Sequence, residues 1–190
     1  MHTKLRNDQL GRISAQEYKL SKKMPVTIVL DNVRSMHNIG SAFRSADSFL
    51  VEQILLCGIC ACPPSAEIHK SALGAEFSVE WSYNSSTIEA VTKLKEQGYI
   101  ILSVEQAINS ISLESLDNSL KELKNDTPLR GYALVFGNEV KGVQQEVINI
   151  SNGVIEIPQF GTKHSLNISV SLGIVLWEFA KLLLCTNINK

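Results

Sequence analysis

The residues able to do chemistry gather in three polar loops, each following an apolar run. One lies within Ile157-Pro-Gln-Phe-Gly-Thr-Lys-His-Ser-Leu-Asn-Ile-Ser-Val-Ser171 and holds Gly161, Lys163, His164, Ser165 and Asn167. A second is Gly137-Asn138-Glu139-Val140-Lys141-Gly142. The third runs from Asn32 to Gly40, with Arg44 about one helical turn further on. The glycines at both ends of the second loop allow close backbone approach. It is not G-x-G-x-x-G, and no Lys-Ser/Thr follows its last glycine as in a P-loop. It reads either as a loop for a nucleotide-type ligand or as a tight turn. Arg44 reads either as a bidentate phosphate ligand or as a surface ion-pair partner. Ser165 has no readable Ser-His-Asp logic and no G-x-S-x-G elbow, which argues against a serine hydrolase. His2, His37 and His69 are scattered, and no pair has metal-ligand spacing. Cys57-Gly-Ile-Cys60 is formally C-x-x-C, but no second pair accompanies it. Reduced thiols near a strand end, and no metal, are expected.

Elements of two kinds must hold these loops. Val26–Leu30, Ile54–Cys57, Tyr99–Val104 and Tyr132–Phe136 are continuous apolar runs, the mark of strands buried on both faces. Val79–Trp81 and Val154–Ile157 read as shorter strands. Ser14-Ala-Gln-Glu17 is a capping box opening a short basic helix that Pro25 stops. Further helices are expected over 41–49, 65–73, 86–97 and 143–149, and a final one follows the third loop and ends at about Leu184. In the helix over 86–97, Ile88, Val91 and Leu94 face inward and Gly98 caps. Segment 109–125 is only loosely patterned. Strands alternating with helices predict an α/β domain, a parallel sheet with helices on both faces. In such a sheet the three loops share the carboxyl edge, so they are expected to converge.

A chain of 190 residues with 44% apolar and 19% charged residues is a globular domain, not a disordered one. A net charge of −1 offers no global attraction to nucleic acid, so any such binding must be local. The basic N-terminal segment, residues 1–24, is one candidate, through Lys19, Lys22 and Lys23. A solvated helix face explains it equally well. No apolar leader is visible, and the run 170–184 is broken by Glu178 and Lys181. A cytoplasmic, non-membrane protein is expected.

Taken together, the three loops resemble the three motifs of the SpoU family, the ribose 2′-O-methyltransferases of the SPOUT superfamily. Asn38-Ile-Gly40 with Arg44 is similar to its N-x-G-x-x-x-R motif, and Gly137-Asn-Glu139-Val-Lys-Gly142 to G-x-E-x-x-G. Ile157-Pro158, Ser165-Leu166-Asn167 and Ser169-Val170 are similar to the third motif. Ala72-Leu-Gly-Ala75 resembles a short family element. The match extends from about Val26 to Ala180. It implies a Rossmann-like domain over 25–190 with a deep C-terminal trefoil knot that holds S-adenosylmethionine bent. By that resemblance Gly137, Asn138, Gly142, Ile157, Leu166 and Asn167 contact the cofactor, and Ser103 and Val104 form the opposite wall. Arg44 is implied as the main catalytic residue, with Asn38, Glu139, Ser165 and Asn167. Arginine is too basic for a ready general base, its pKa lying above ~12. Anchoring a phosphate and stabilising the 2′-oxyanion is therefore preferred for Arg44, with the general-base role kept open. Glu139 holds Asn38 or Arg44 in place; Ser165 and Asn167 meet the substrate or the cofactor carboxylate. Arg34, Lys141 and Lys163, with Lys19, Lys22 and Lys23, are the expected RNA contacts, tRNA being preferred over rRNA. The resemblance also implies a homodimer through the last helix, whose Leu172, Val175, Leu176, Phe179 and Leu183 exceed one core face. A SPOUT enzyme acting on a base and a non-catalytic RNA-binding relative are the alternatives.

Overall fold

A computed structural model describes residues 2–124 and 128–185. Seven parallel strands form one sheet: β1 Met24–Asp31, β2 Val51–Cys57, β3 Glu80–Asn84, β4 Tyr99–Val104, β5 Ile111–Ser112, β6 Gly131–Phe136 and β7 Gly153–Glu156. Their order across the sheet is β3-β2-β1-β6-β4-β7-β5. In β1, β4 and β6 alternate side chains enter two separate cores. Val26, Ile28, Leu30, Leu102, Leu134 and Phe136 pack on one face, and Val29, Ile101, Ala133 and Val135 on the other. Both faces are covered, which is why these strands read as unbroken apolar runs. The first core is closed by α2 (Met36–Ser48), α3 (Ala66–Ala72) and α7 (Ile168–Leu183); the second by α4 (Thr87–Glu96) and α6 (Gln145–Ile150).

Several local expectations shift. The short helix α1 (Ala15–Leu20) keeps its capping box but ends before Pro25, which lies inside β1 where the pairing to β2 slips between Met24 and Thr27. A missing N–H is tolerated at such an irregularity. Helix α2 begins at Met36, capped by Ser35, so Asn38 and Gly40 are helical rather than part of a loop. Ile88 is 37% exposed; Ala90, Val91 and Leu94 make the inner face of α4. On α7 the apolar residues expected at an interface, Leu172, Val175, Leu176 and Phe179, are fully buried. Val170, Ile174 and Trp177 are the exposed ones. The last residue of the loosely patterned segment, 125, lies outside the described residues; before it the segment forms β5 and α5 (Leu116–Leu123).

The chain's return after β7 positions the site. Strand β7 lies beyond β4, yet α7 packs on α2, and Phe179 meets Tyr132 of β6 edge-on at 5.2 Å between ring centres. The connecting segment therefore crosses back over the carboxyl end of β4. There the Gln106 amide donates to the His164 carbonyl at 2.7 Å.

Gly40 shows how tightly α2 is seated. A Cβ there would lie 2.2 Å from Ser71 Oγ and 2.3 Å from the Ile68 carbonyl of α3. The backbone atom cannot swing away, so even a methyl group must push the helices apart. Gly40→Ala is expected to cost ~1–3 kcal/mol, read as a lower urea midpoint; an unchanged midpoint would show that this helix contact is soft.

Candidate functional site

The three polar loops do converge at the carboxyl edge, and a carboxylate joins the first two. Glu139 accepts hydrogen bonds from the backbone N–H of Arg34 (3.2 Å), the N–H of Ser35 (3.1 Å) and the Asn38 amide (3.0 Å). It thus holds the turn that leads into α2 beside the Ser35 cap and sets a negative charge at a helix start whose own first turn carries no acid. Burial opposes ionisation of Glu139, but the Asn38 amide and the nearby backbone N–H groups outweigh it and hold its carboxyl below the usual value. Asn38 passes the link on, its Oδ1 accepting from Asn167 Nδ2 at 3.3 Å. Asn167 in turn caps α7, accepting from the Ser169 N–H (2.8 Å) and hydroxyl (2.6 Å). Two helix N-termini therefore meet at one point.

A second carboxylate, missed in the sequence, fixes the other side. Asp31 is fully buried at the end of β1. It accepts from Thr87 Oγ1 (2.6 Å) at the start of α4, from Asn32 Nδ2 (2.8 Å), and from Gln144 through both N–H (2.8 Å) and Nε2 (2.6 Å). Its signal was an acid closing an apolar run, where a buried charge must be fully bonded. Asn138 completes the stitching by donating to the Asn32 carbonyl at 2.7 Å.

Beside this junction lies a cavity of about 720 Å³. Val104, Gly137, Asn138, Gly142, Ile157, Leu166 and Asn167 line it, as do Glu139, Lys141 and Ser165. Gln106, Gln159, His164 and Glu105 line it too, and of these only His164 was noted in the sequence. Segment 137–142 is a tight turn and a cavity wall at once. Asn138 and Gly142 exchange backbone hydrogen bonds of 3.0 and 2.9 Å. A Cβ on Gly137 would lie 2.0 Å from the Gly142 carbonyl carbon, so no other residue fits. Glu105 accepts from the Val143 N–H at 3.1 Å, tying the end of β4 to the same turn.

Other expected site residues fall elsewhere. Ser103 is fully buried one residue short of the cavity, and its hydroxyl pairs with that of Ser151 at 2.8 Å. Arg44 is exposed on α2, two turns beyond Asn38 and outside the cavity lining; its guanidinium has no ion-pair partner among the described residues. Arg34 and Lys163 are exposed beside the lining. Lys19, Lys22 and Lys23 lie at the opposite edge: the Tyr18 hydroxyl of α1 donates to the Val51 carbonyl, at the first residue of β2, 3.2 Å away. Lys23 is turned inward, its Nζ 4.3 Å from the Tyr18 ring centre and bonded to the Ser21 carbonyl at 3.1 Å. Burial pushes the Cys57 and Cys60 thiols up to about 12 and about 11, unsuited to nucleophilic work. Among the described residues no group of three or more His, Cys, Asp or Glu could hold a metal, and no helix is long and apolar enough to cross a membrane.

Comparison with known proteins agrees with this geometry. The chain is 29% identical over 171 residues to a Vibrio vulnificus 23S rRNA (guanosine-2′-O-)-methyltransferase, covering 90% of this chain but only 64% of that relative's length. It is 29% identical over 163 residues to an Aquifex aeolicus tRNA (guanosine(18)-2′-O)-methyltransferase, covering 84% of this chain and 71% of that one. An AdoMet-bound rRNA methyltransferase structure from Sinorhizobium meliloti superposes with a TM-score of 0.73 at 25% identity, over 86% of this chain and 58% of that chain. The model of the SpoU rRNA methylase family matches residues 25–177, and the chain belongs to that family.

Proposed function

We propose that this chain transfers a methyl group from S-adenosylmethionine to a ribose 2′-hydroxyl of transfer or ribosomal RNA. The observation that carries the reading is the bonded series Glu139–Asn38–Asn167, which joins all three motif loops beside a cavity of cofactor size. Family membership and the methyltransferase relatives support the same reaction.

The cavity suits the cofactor. Ile155, Ile157 and Leu166 offer an apolar wall for its adenine, and Gly137 leaves backbone uncovered for the polar edge. The two helix N-termini at Asn38 and Asn167 favour a carboxylate or phosphate nearby. Bound there, S-adenosylmethionine supplies an electrophilic methyl group on a sulfonium. Crossing of β4 by the return segment supports the trefoil knot that the family implies.

The chain's own residues would act on the RNA. Arg44, with no ion-pair partner among the described residues, is assigned to the phosphate next to the target ribose. There its charge lowers the pKa of the 2′-hydroxyl and stabilises the oxyanion as it develops. Ser165 is assigned to the substrate ribose or phosphate. Asn38, Glu139 and Asn167 are positioning residues, because their hydrogen bonds hold α2 and α7. Lys141, Lys163 and Arg34 supply positive potential at the mouth. On α7, Val170, Ile174 and Trp177 form an exposed apolar stripe, and Trp177 meets Phe49, just beyond α2, at 6.3 Å. This stripe supports a homodimer through α7 and α2, the helix that carries Arg44.

Labelled methyl transfer from S-adenosylmethionine to unmodified transfer and ribosomal RNA tests the reaction, with 2′-O-methyl nucleosides scored after digestion. Arg44→Ala is expected to lower the rate ~100-fold; full activity in that variant would remove Arg44 from the chemistry. Saturating S-adenosylhomocysteine, at about 100 times its Kd, should raise stability by ~2.7 kcal/mol, whereas NAD should not. Trp177→Glu should give a monomer by sedimentation; a monomeric parent protein would overturn the dimer. The junction also sets an acid limit. Glu139 has a folded pKa below the ordinary glutamate value, so its stabilisation is complete above that ordinary value and is lost as pH falls through the lower folded one. The lead of the parent protein over Glu139→Gln in urea midpoint should therefore hold from about pH 7 to about pH 5 and shrink below that range. A lead unchanged far into acid would show that the charge of Glu139 is not what holds α2.

A further inference from the structure

The two most exposed large apolar side chains among the described residues are Phe160, at 95%, and Ile108, at 94%. Single exposed hydrophobes are ordinary, but this pair is not scattered. Phe160 lies in the segment that returns from β7, next to the cavity-lining Gln159. Ile108 lies in the loop leaving β4, two residues after the cavity-lining Gln106. The two loops touch, through the Gln106 amide and the His164 carbonyl. Both tips thus flank one mouth; Lys163 is exposed on the return loop, and Lys141 lines the same cavity from the turn after β6. The space around the Phe160 loop is open: a Cβ on Gly161 would meet nothing within 4 Å.

We propose that Phe160, with Ile108 on the neighbouring loop, is a stacking platform for a nucleobase of single-stranded RNA at the cavity mouth, with Lys163 and Lys141 taking the adjoining phosphates. The inference rests on the RNA reading above and adds the residue that meets a base. A flat aromatic face accepts any base, and neighbouring cations follow the phosphates; this pairing is the physical basis of single-strand binding. Methylation of a ribose gives a reason for it. The 2′-hydroxyl must turn toward the cavity, and a base splayed onto Phe160 would hold its nucleotide out of a helix. The charge at the mouth favours a polyanion over an apolar protein surface.

Fluorescence anisotropy tests it with two labelled strands of equal length, an oligoadenylate and an abasic ribose-phosphate strand. The parent protein should bind the oligoadenylate more tightly. Phe160→Ala should remove roughly a tenfold preference, leaving abasic-strand binding and S-adenosylhomocysteine affinity unchanged. Phe160→Trp should restore it, and Lys163→Ala should weaken both strands alike. Equal binding of the two strands by the parent protein, or an unchanged preference in Phe160→Ala, would overturn the proposal. So would a sedimentation shift in Phe160→Ala, which would assign the tip to a second copy of the chain. Failure of the methyl-transfer reading shows separately, as no labelled product from the parent protein despite a preserved base preference.

Discussion

The architecture of the site depends on one carboxylate placed at the start of a helix to which it does not belong. Helix α2 has no acid in its first turn; its N-cap Ser35 serves the Asn38 N–H, and the N–H groups of Arg34 and Ser35 just ahead of the helix need an external acceptor. Glu139 supplies it from the turn after β6 and ties down Asn38 at the same time. Asn38 is then fixed well enough to accept from Asn167, which caps α7. The first and last helices of the motif region are therefore set by a single series of bonds. Two N-termini brought together would accumulate partial positive charge. Glu139 offsets part of it, and what remains favours an anion beside the cavity.

Asp31 performs the matching task from inside. Its two oxygens collect donors from the start of α4, from Asn32 and from Gln144 ahead of α6. A buried carboxylate is tolerable only when so fully bonded. The partly exposed Glu139 thus fixes helices of the first core, and the buried Asp31 fixes those of the second. Between the two runs the turn 137–142, closed by the contact of Gly137 with Gly142 and by Glu105. The walls of the cavity are consequently backbone held by side chains, an arrangement that resists rearrangement better than a shell of flexible chains.

Much of this was legible in the chain. Strand β4 falls at the expected residues, and β6 gains only Gly131, because runs buried on both faces leave no ambiguity of period. What was hidden had local causes. Asn38 and Gly40 look like loop residues, and only the cap at Ser35 and the acceptor 101 residues away at Glu139 make them helical. Gly40 is needed for the approach of α3, not for a turn. Ser103 sits on the expected strand end, but strand alternation turns it toward Ser151. On α7 the apolar residues Leu172, Val175, Leu176 and Phe179, read as more than one core face needs, belong to the core, and the exposed apolar ones are Val170, Ile174 and Trp177. Which stripe is covered depends on how α7 lies over Tyr132, a tertiary fact absent from its own sequence.

The placement of the cations constrains how RNA could be held. The basic segment around α1 is tied to the amino end of β2, a full strand length from the cavity, roughly 25 Å for the eight residues of β1. Lys23 spends its charge on Tyr18 and Ser21. An RNA proposed at the cavity mouth would meet Arg34, Lys141, Lys163 and, further along α2, Arg44, and little else that is positive among the described residues of the carboxyl edge. Four phosphate contacts would give a modest salt dependence and modest non-specific affinity. The remaining discrimination has to come from contacts that salt does not screen. Base stacking and recognition of the 2′-hydroxyl are of that kind. For a protein with a net charge of −1, they would bring a ribose to the site without the long-range attraction that more basic proteins have for any nucleic acid.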